Sequence, residues 1–406
     1  MNTGTPPHLT YCTNIHPGES WEEVFTSLRQ YALPLKNEVS PGAPMGIGLR
    51  LSDAASRTLT HTEGWRDLKA WLDGNGLYVA ILNGFPFGGF HRQRVKDDVH
   101  RPDWTTHDRQ TYTVRLAAIL SQLLPEGMSG GISTSPITYR PWWRPDQREE
   151  VLHAACENLA RTVAALANIR RETGRFIHLD IEPEPDGLLD TTENTIHFFT
   201  RELLPRAGKA LVDHHGFSAP DAETVLRDHV QLCFDVCHFA VMFEDPKASL
   251  QRLTEAGIRI GRVQLSAALK AAIPADPAAR EALAAEFRPF ADATYLHQVT
   301  ARQPDGSLQQ FPDLAPALAT LTATAATEWR SHFHVPLFVQ DYGRLQSTQA
   351  EIVQTLEWVG QQPVTEHLEV ETYTWEVLPP ALKLDLHSSI RRELEWVRGQ
   401  LGVAGK

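Results

Sequence analysis

Short runs of apolar, β-prone residues alternate with longer segments of helical period along almost the whole chain. The strand-like runs are HLTYCTNIH (8–16), GIGLRLS (46–52), LYVAILNG (77–84), GGISTSP (130–136), FIHLDIEP (176–183), HVQLCFDV (229–236), RIGRVQLSA (259–267), HFHVPLFV (332–339) and HLEVETYTW (367–375). Between them apolar positions recur every three or four residues, as in SWEEVFTSLRQYA (20–32) and in the long segment 146–174. Ser20 with Glu23 three residues on reads as a capping box, and Gly174 as a helix end. Strands alternating with helices predict an α/β fold with a parallel sheet and right-handed crossovers.

Eight such repeats make a (β/α)8 TIM barrel, and nine runs compete for the eight places. Either HFHVPLFV or the neighbour of YLHQV (295–299) therefore belongs outside the wall. The segment 269–330, rich in Ala and Pro and carrying the helix-like PAAREALAAEF, reads as an excursion. The expectation is one barrel domain over 1–406 with an insertion around 269–330 and a C-terminal helix over 384–406. No GxGxxG follows the first strand and no GxxxxGK[ST] occurs, so dinucleotide and P-loop folds lack their motifs.

Composition narrows the function. Lys and Arg number 38 against 50 Asp and Glu, a formal charge of −12. Such a chain repels nucleic-acid backbones and anionic lipid unless it carries a basic patch, and only scattered pairs such as Arg170-Arg171 and Arg391-Arg392 occur. Cys12, Cys156, Cys233 and Cys237 show neither CxxC nor disulfide-framework spacing. No window is apolar enough for a membrane span and the first residues lack signal-peptide character. A soluble cytoplasmic protein is expected.

In a barrel the functional face is the C-terminal end of the strands. Polar residues collect there: Asn14 and His16 on the first strand, Asn83 then His91 and Lys96 after the third, Ser133 and Ser135 on the fourth. Asp180 and Glu182 follow on the fifth, Asp235 and His238 on the sixth, Gln264 and Ser266 on the seventh, Glu369 and Glu371 on the last. Period-2 alternation puts His178, Asp180 and Glu182 on one face, His332 with His334, and Glu369 and Glu371 with Tyr373. Carboxylates pointing into a barrel from several strands need a counter-ion, and a divalent cation held by carboxylate and imidazole would satisfy the whole set. Each piece also has a plainer reading. Asp235 can be a helix N-cap, His238 a hydrogen-bonded rim histidine, Glu182 the head of a Pro-stiffened turn, and Lys96 a solvated loop residue.

CFDVCH resembles the D-[TV]-C-H strand end of the xylose-isomerase-like TIM barrels, which include sugar isomerases, sugar-phosphate epimerases and abasic-site endonucleases. The resemblance implies metal ligands at Glu182 in LDIEPEP, Asp235 and His238 in FDVCH, and Glu371 in LEVETY. LTYCTNIHPGESW, LNGFPFGGFH, VKDDVHRPDW, HFHVPLF and LEVETYTWEVLP look closer to one branch, the EboE-type metabolite traffic proteins of bacterial clusters that export secondary metabolites. That likeness implies handling of a small-molecule precursor alongside other proteins of an export pathway. The seventh strand departs from the family pattern, with Gln264 and Ser266 where relatives place a histidine. His334, ahead of His297, would replace that ligand. One ion, Zn or Mn, is the resulting expectation.

The implied chemistry is a metal-polarised carbonyl or hydroxyl, with Glu182 or Glu371 as base and Lys96 orienting an oxygen. His16, Asn83, Gln264, His297, Tyr373 and Trp375 would contact the substrate, and Trp104, Trp142 and Trp143 could add apolar wall. A non-catalytic metabolite carrier is the main alternative. A phosphodiesterase is disfavoured by charge and by the shortage of histidines.

Overall fold

A computed structural model describes residues 7–402 except 377, 379, 381, 382 and 384. Seven strands arrive in the expected order: β1 (His8–Tyr11), β2 (Met45–Arg50), β3 (Leu77–Asn83), β4 (Gly130–Thr134), β5 (Ile177–Ile181), β6 (Val230–Asp235) and β7 (Ile260–Leu265). After Ser266 the chain leaves the wall through β8 (Ala267–Ala272), β9 (Val299–Arg302), β10 (Leu308–Phe311), β11 (Glu328–Val335), β12 (Asp341–Tyr342) and β13 (Leu345–Ser347), and returns as β14 (His367–Val370). The wall runs β1-β14-β7-β6-β5-β4-β3-β2, all parallel, and a bridge between Cys12 and Gly48 nearly closes it into a barrel. Nearly every wall residue is buried, as expected of strands covered by helices outside and side chains within.

Local signals work where expected. Ser20 accepts from the Glu23 amide while the Glu23 carboxylate accepts from the Ser20 amide, starting the helix Trp21–Ser27. Gly174, at φ 71°, ends the 26-residue helix Arg148–Thr173. The C-terminal helix runs Leu386–Gln400, and positions 384 and 403–406 of its expected span lie outside the described residues. The four cysteines are free and buried, and no helix among the described residues is long and apolar enough to cross a membrane.

Strands β8–β13 form a separate antiparallel sheet, order β10-β9-β11-β8-β13-β12. It holds both contenders for the ninth place, HFHVP on β11 and the residues following YLHQ on β9. The excursion thus spans 267–347, wider than 269–330, and its helix Pro277–Phe287 packs Phe287 against Trp329 of β11. The β11–β8 ladder shifts register between Ser331 and Val335, and this irregular stretch carries His332 and His334.

Inside the barrel the carboxylates form two layers. In the lower one the fully buried Arg262 of β7 donates to Asp180 Oδ2 (3.0 Å), Glu369 Oε2 (2.9 Å) and the Leu82 carbonyl (3.1 Å). The expectation that a divalent cation serves the whole carboxylate set is corrected here: Asp180 and Glu369 have a protein counter-ion. Glycines make room for it. A Cβ at Gly48 would sit 1.7 Å from Glu369 Oε1, and one at Gly261 1.9 Å from Asp180 Oδ1.

Candidate metal centre

Above Arg262, at the C-terminal mouth, the strand ends bring Glu182, Asp235 and Glu371 together. One ligating oxygen from each lies within 4.8 Å of the others, and all three residues are buried. Glu182 follows β5 directly, with its amide on the Thr134 carbonyl (2.9 Å). Glu371 follows β14, with its amide on Leu265, and its Oε1 accepts from Asn14 Nδ2 (2.7 Å) and Asn83 Nδ2 (3.1 Å).

Asp235 is a helix N-cap, as its plainer reading had it. Oδ1 caps the short helix Val236–Val241 through the His238 amide (3.1 Å) and accepts from Ser266 Oγ (2.6 Å), while Oδ2 has no protein hydrogen-bond partner. His238 and His334 stand on either side. His238 Nε2 is 3.9 Å from Asp235 Oδ1, and His334 Nε2 is 4.0 Å from Asp235 Oδ2. His238 Nδ1 donates to the Pro183 carbonyl and His334 Nδ1 to the Glu371 carbonyl, both at 2.9 Å. A carbonyl only accepts, so each Nδ1 carries the proton and each Nε2 presents a lone pair.

The electrostatics are those of a cluster of like charges in a dry site. Burial first, then Glu371 and Asp235, push the Glu182 carboxyl well above the ordinary range. Burial and Asp235 do the same to Glu371. Asp235 is raised by burial, which His334 and the Ser266 hydroxyl partly oppose. Burial lowers His238 to about 3 and His334 to about 4, so neither imidazole supplies positive charge at neutral pH. Carboxylate oxygens without protein partners (Glu182 Oε2, Asp235 Oδ2) beside oriented imidazole lone pairs form a donor set that could hold a divalent cation.

A small cavity, with about 50 Å³ of room for water-sized molecules, opens above this floor. Its upper wall is apolar, with Phe85, Phe90, Val99, Tyr295, Leu296 and Tyr373. Of the expected substrate contacts, Asn83 and Tyr373 line it. Gln264, in register with Asp235 and Glu369, is fully buried outside the lining and accepts from the Cys233 thiol. His16 stacks on Tyr31 at 4.3 Å and bonds the Tyr11 hydroxyl, away from the lining. His297, held by Asp292 and the His332 carbonyl, and the buried Trp375 are also outside it. Lys96 lines the cavity, but its Nζ donates to Asp313 Oδ2 (2.6 Å) and the Asp292 carbonyl (3.1 Å), tying the loop after β3 to the excursion.

Sequence reasoning did not single out Glu184, His100 or Gln298, all buried and grouped near His332. The one local signal for Glu184 is the second acidic residue of EPEP, where flanking prolines hold an extended backbone.

No protein-family model matches the chain. No curated protein matches it in sequence. Among solved structures it is similar to a D-tagatose 3-epimerase-like protein, with TM-score 0.50 and 10% identity over 98% of this chain and 97% of that one. It is also similar to an IOLI protein with a binding zinc atom (TM-score 0.48, 13% identity, 98% and 99% covered). A third is a xylose isomerase domain protein from Alicyclobacillus acidocaldarius (0.45, 11%, 98% and 99%). At these identities the likeness is one of fold, the TIM barrel.

Proposed function

We propose that this chain is a divalent-metal-dependent enzyme of isomerase or epimerase type acting on a small hydroxylated or keto metabolite. The observation that supports it is the buried donor set at the barrel mouth: Glu182, Asp235 and Glu371 within 4.8 Å of one another, with two carboxylate oxygens lacking protein partners. Glu182, Asp235 and Glu371 would hold one Zn or Mn ion, with His334 or His238 completing the shell. When bound, such an ion polarises a carbonyl or acidifies a hydroxyl, a contribution of several kcal/mol to transition-state charge.

The remaining steps belong to side chains. Glu182, through the oxygen it does not give to the ion, takes a proton from the carbon beside the carbonyl. Glu371, oriented by Asn14 and Asn83, returns one to the neighbouring carbon or the opposite face. The rings of Phe90, Tyr295 and Tyr373 exclude water and favour a substrate with an apolar body. Lys96 orients an oxygen only if its bond to Asp313 opens, so its first role is to tether the loop.

The long segments resembling EboE-type proteins support a finer reading, in which the metabolite is a secondary-metabolite precursor passed along an export pathway with partner proteins. A carrier that binds without turnover is the second reading, favoured by the apolar wall. The test measures metal content and solvent deuterium exchange into candidate ketoses and aromatic hydroxyketones. The enzyme reading expects about one tightly held equivalent at this set, lost in Asp235→Ala and Glu371→Ala, and exchange lost in Glu182→Gln. Binding without exchange in every candidate would favour the carrier, and a wild-type chain that takes up no ion would sink the catalytic account.

A further inference from the structure

Glu184, His238 and His332 offer one ligand atom each within 4.8 Å of one another, beside the cluster already described. His332 Nδ1 lies 2.8 Å from Gln298 Oε1, and Gln298 Nε2 donates to the Pro185 carbonyl, which fixes the amide so that its oxygen faces the ring. His332 therefore carries its proton on Nδ1, as His238 and His334 do. The Nε2 atoms of His332 and His334 then face each other at 3.3 Å with a lone pair on each. Neither neutral ring can donate without giving up its Nδ1 anchor, so the contact is repulsive unless a cation takes up the lone pairs. Glu184 Oε2 is buried without a hydrogen-bond partner, and 3.7 Å from it stands His100, fully buried with neither ring nitrogen hydrogen-bonded.

We propose that Glu184, His238 and His332 form a second divalent-cation position, adjacent to the one at Glu182, Asp235 and Glu371, with His334 completing the first. Each imidazole then serves one ion. Two adjacent positions of this kind would clamp two oxygens of one substrate. An adjacent hydroxyl–carbonyl pair is the ligand chemistry two neighbouring ions would take. The position depends on the excursion, because β11 delivers both His332 and His334.

The test is a titration of the metal-stripped full chain with Co(II), read by its visible absorption and by elemental analysis after gel filtration. Two equivalents are expected in the wild type, with separate absorption changes for the first and second. One should remain in His332→Asn and in Glu184→Gln, with circular dichroism confirming the fold. Glu371→Gln should lose the other position and keep this one. A single equivalent that survives His332→Asn and Glu184→Gln but is lost in Glu371→Gln would overturn the second position and leave the first standing. No Co(II) uptake by the wild type would overturn both. Should the variants not fold, a wild-type titration that stops at one equivalent is still decisive against the proposal.

Discussion

Replacing Arg262 with Met tests the account of the barrel's lower layer. Arg262 is fully buried between Asp180 (3.0 Å) and Glu369 (2.9 Å), and nothing else in that layer is a permanent cation. Methionine keeps the side-chain length and removes the charge. Asp180 retains His178, 2.5 Å away, whereas Glu369 loses its ion pair outright. A carboxyl in that position stays neutral. An ordinary Glu titrates near 4.3 and each pKa unit is worth about 1.4 kcal/mol, so holding Glu369 protonated at pH 7 costs roughly 4 kcal/mol relative to the unfolded chain. This agrees with the ~3–5 kcal/mol seen when one partner of a buried pair is removed. The sign of the pH dependence follows. The folded variant binds a proton that the unfolded chain releases, so its stability falls as pH rises above about 4.3, by about 1.4 kcal/mol per unit. Urea unfolding of wild type and Arg262→Met at pH 5.5 and 7.5 measures both quantities. A loss near 4 kcal/mol at neutral pH, narrowing by roughly 2.7 kcal/mol at the lower pH, is expected. A loss below about 1 kcal/mol, or a gap that does not change with pH, would refute the reasoning.

Gly48→Ala places a methyl 1.7 Å from Glu369 Oε1 and should cost about 1–3 kcal/mol in the same assay, while Gly216→Ala, which meets nothing within 4 Å but has φ 73°, reports backbone strain alone. Lys96→Met removes the ion pair to Asp313 and should cost about 1 kcal/mol, speed limited proteolysis of the loop after β3, and leave metal content unchanged; loss of the metal would show that Lys96 supports the centre. With a charge of −12, the chain should show no salt-dependent DNA retention at 50 mM salt, and a steep salt slope would revive the nuclease reading.

Strand-end positions were legible because they are local. Alternation with period 2, the D-x-x-H spacing and the barrel's functional face locate Asp235, His238, Glu182 and Glu371 without knowledge of tertiary contacts. Arg262 was not legible, since its partners lie 82 and 107 residues away and an arginine in a strand has no local mark of burial. The excursion's borders were hidden for a similar reason. Only Ser266 separates β7 from β8, so no turn signal marks the exit, and β11 alternates like a wall strand. His16 and Trp375 show the limit of strand-end reasoning: both follow a wall strand, yet His16 turns onto Tyr31 and Trp375 into the core.

The two carboxylate layers differ in one respect, and that difference is measurable. Arg262 gives the lower layer a built-in counter-ion, whereas the mouth has only neutral imidazoles beside Glu182, Asp235 and Glu371. Without an exchangeable cation the upper layer is a net cost to the fold. Glu371→Gln removes one of the clustered charges and keeps an oxygen for Asn14 and Asn83. In the presence of a chelator it should therefore stabilise the chain, by about 0.5–2 kcal/mol as for other costly functional groups. Because burial and Asp235 raise the Glu371 carboxyl, the wild-type penalty is present at neutral pH and fades as pH falls, so the advantage of the variant should shrink toward pH 5. With saturating Zn or Mn the order should reverse, since an ion at 100 times its Kd adds about 2.7 kcal/mol to a chain that binds it. A mouth whose carboxylates served only to hold the fold would give the opposite result: Glu371→Gln less stable than wild type with chelator present, and no crossing when the ion is added.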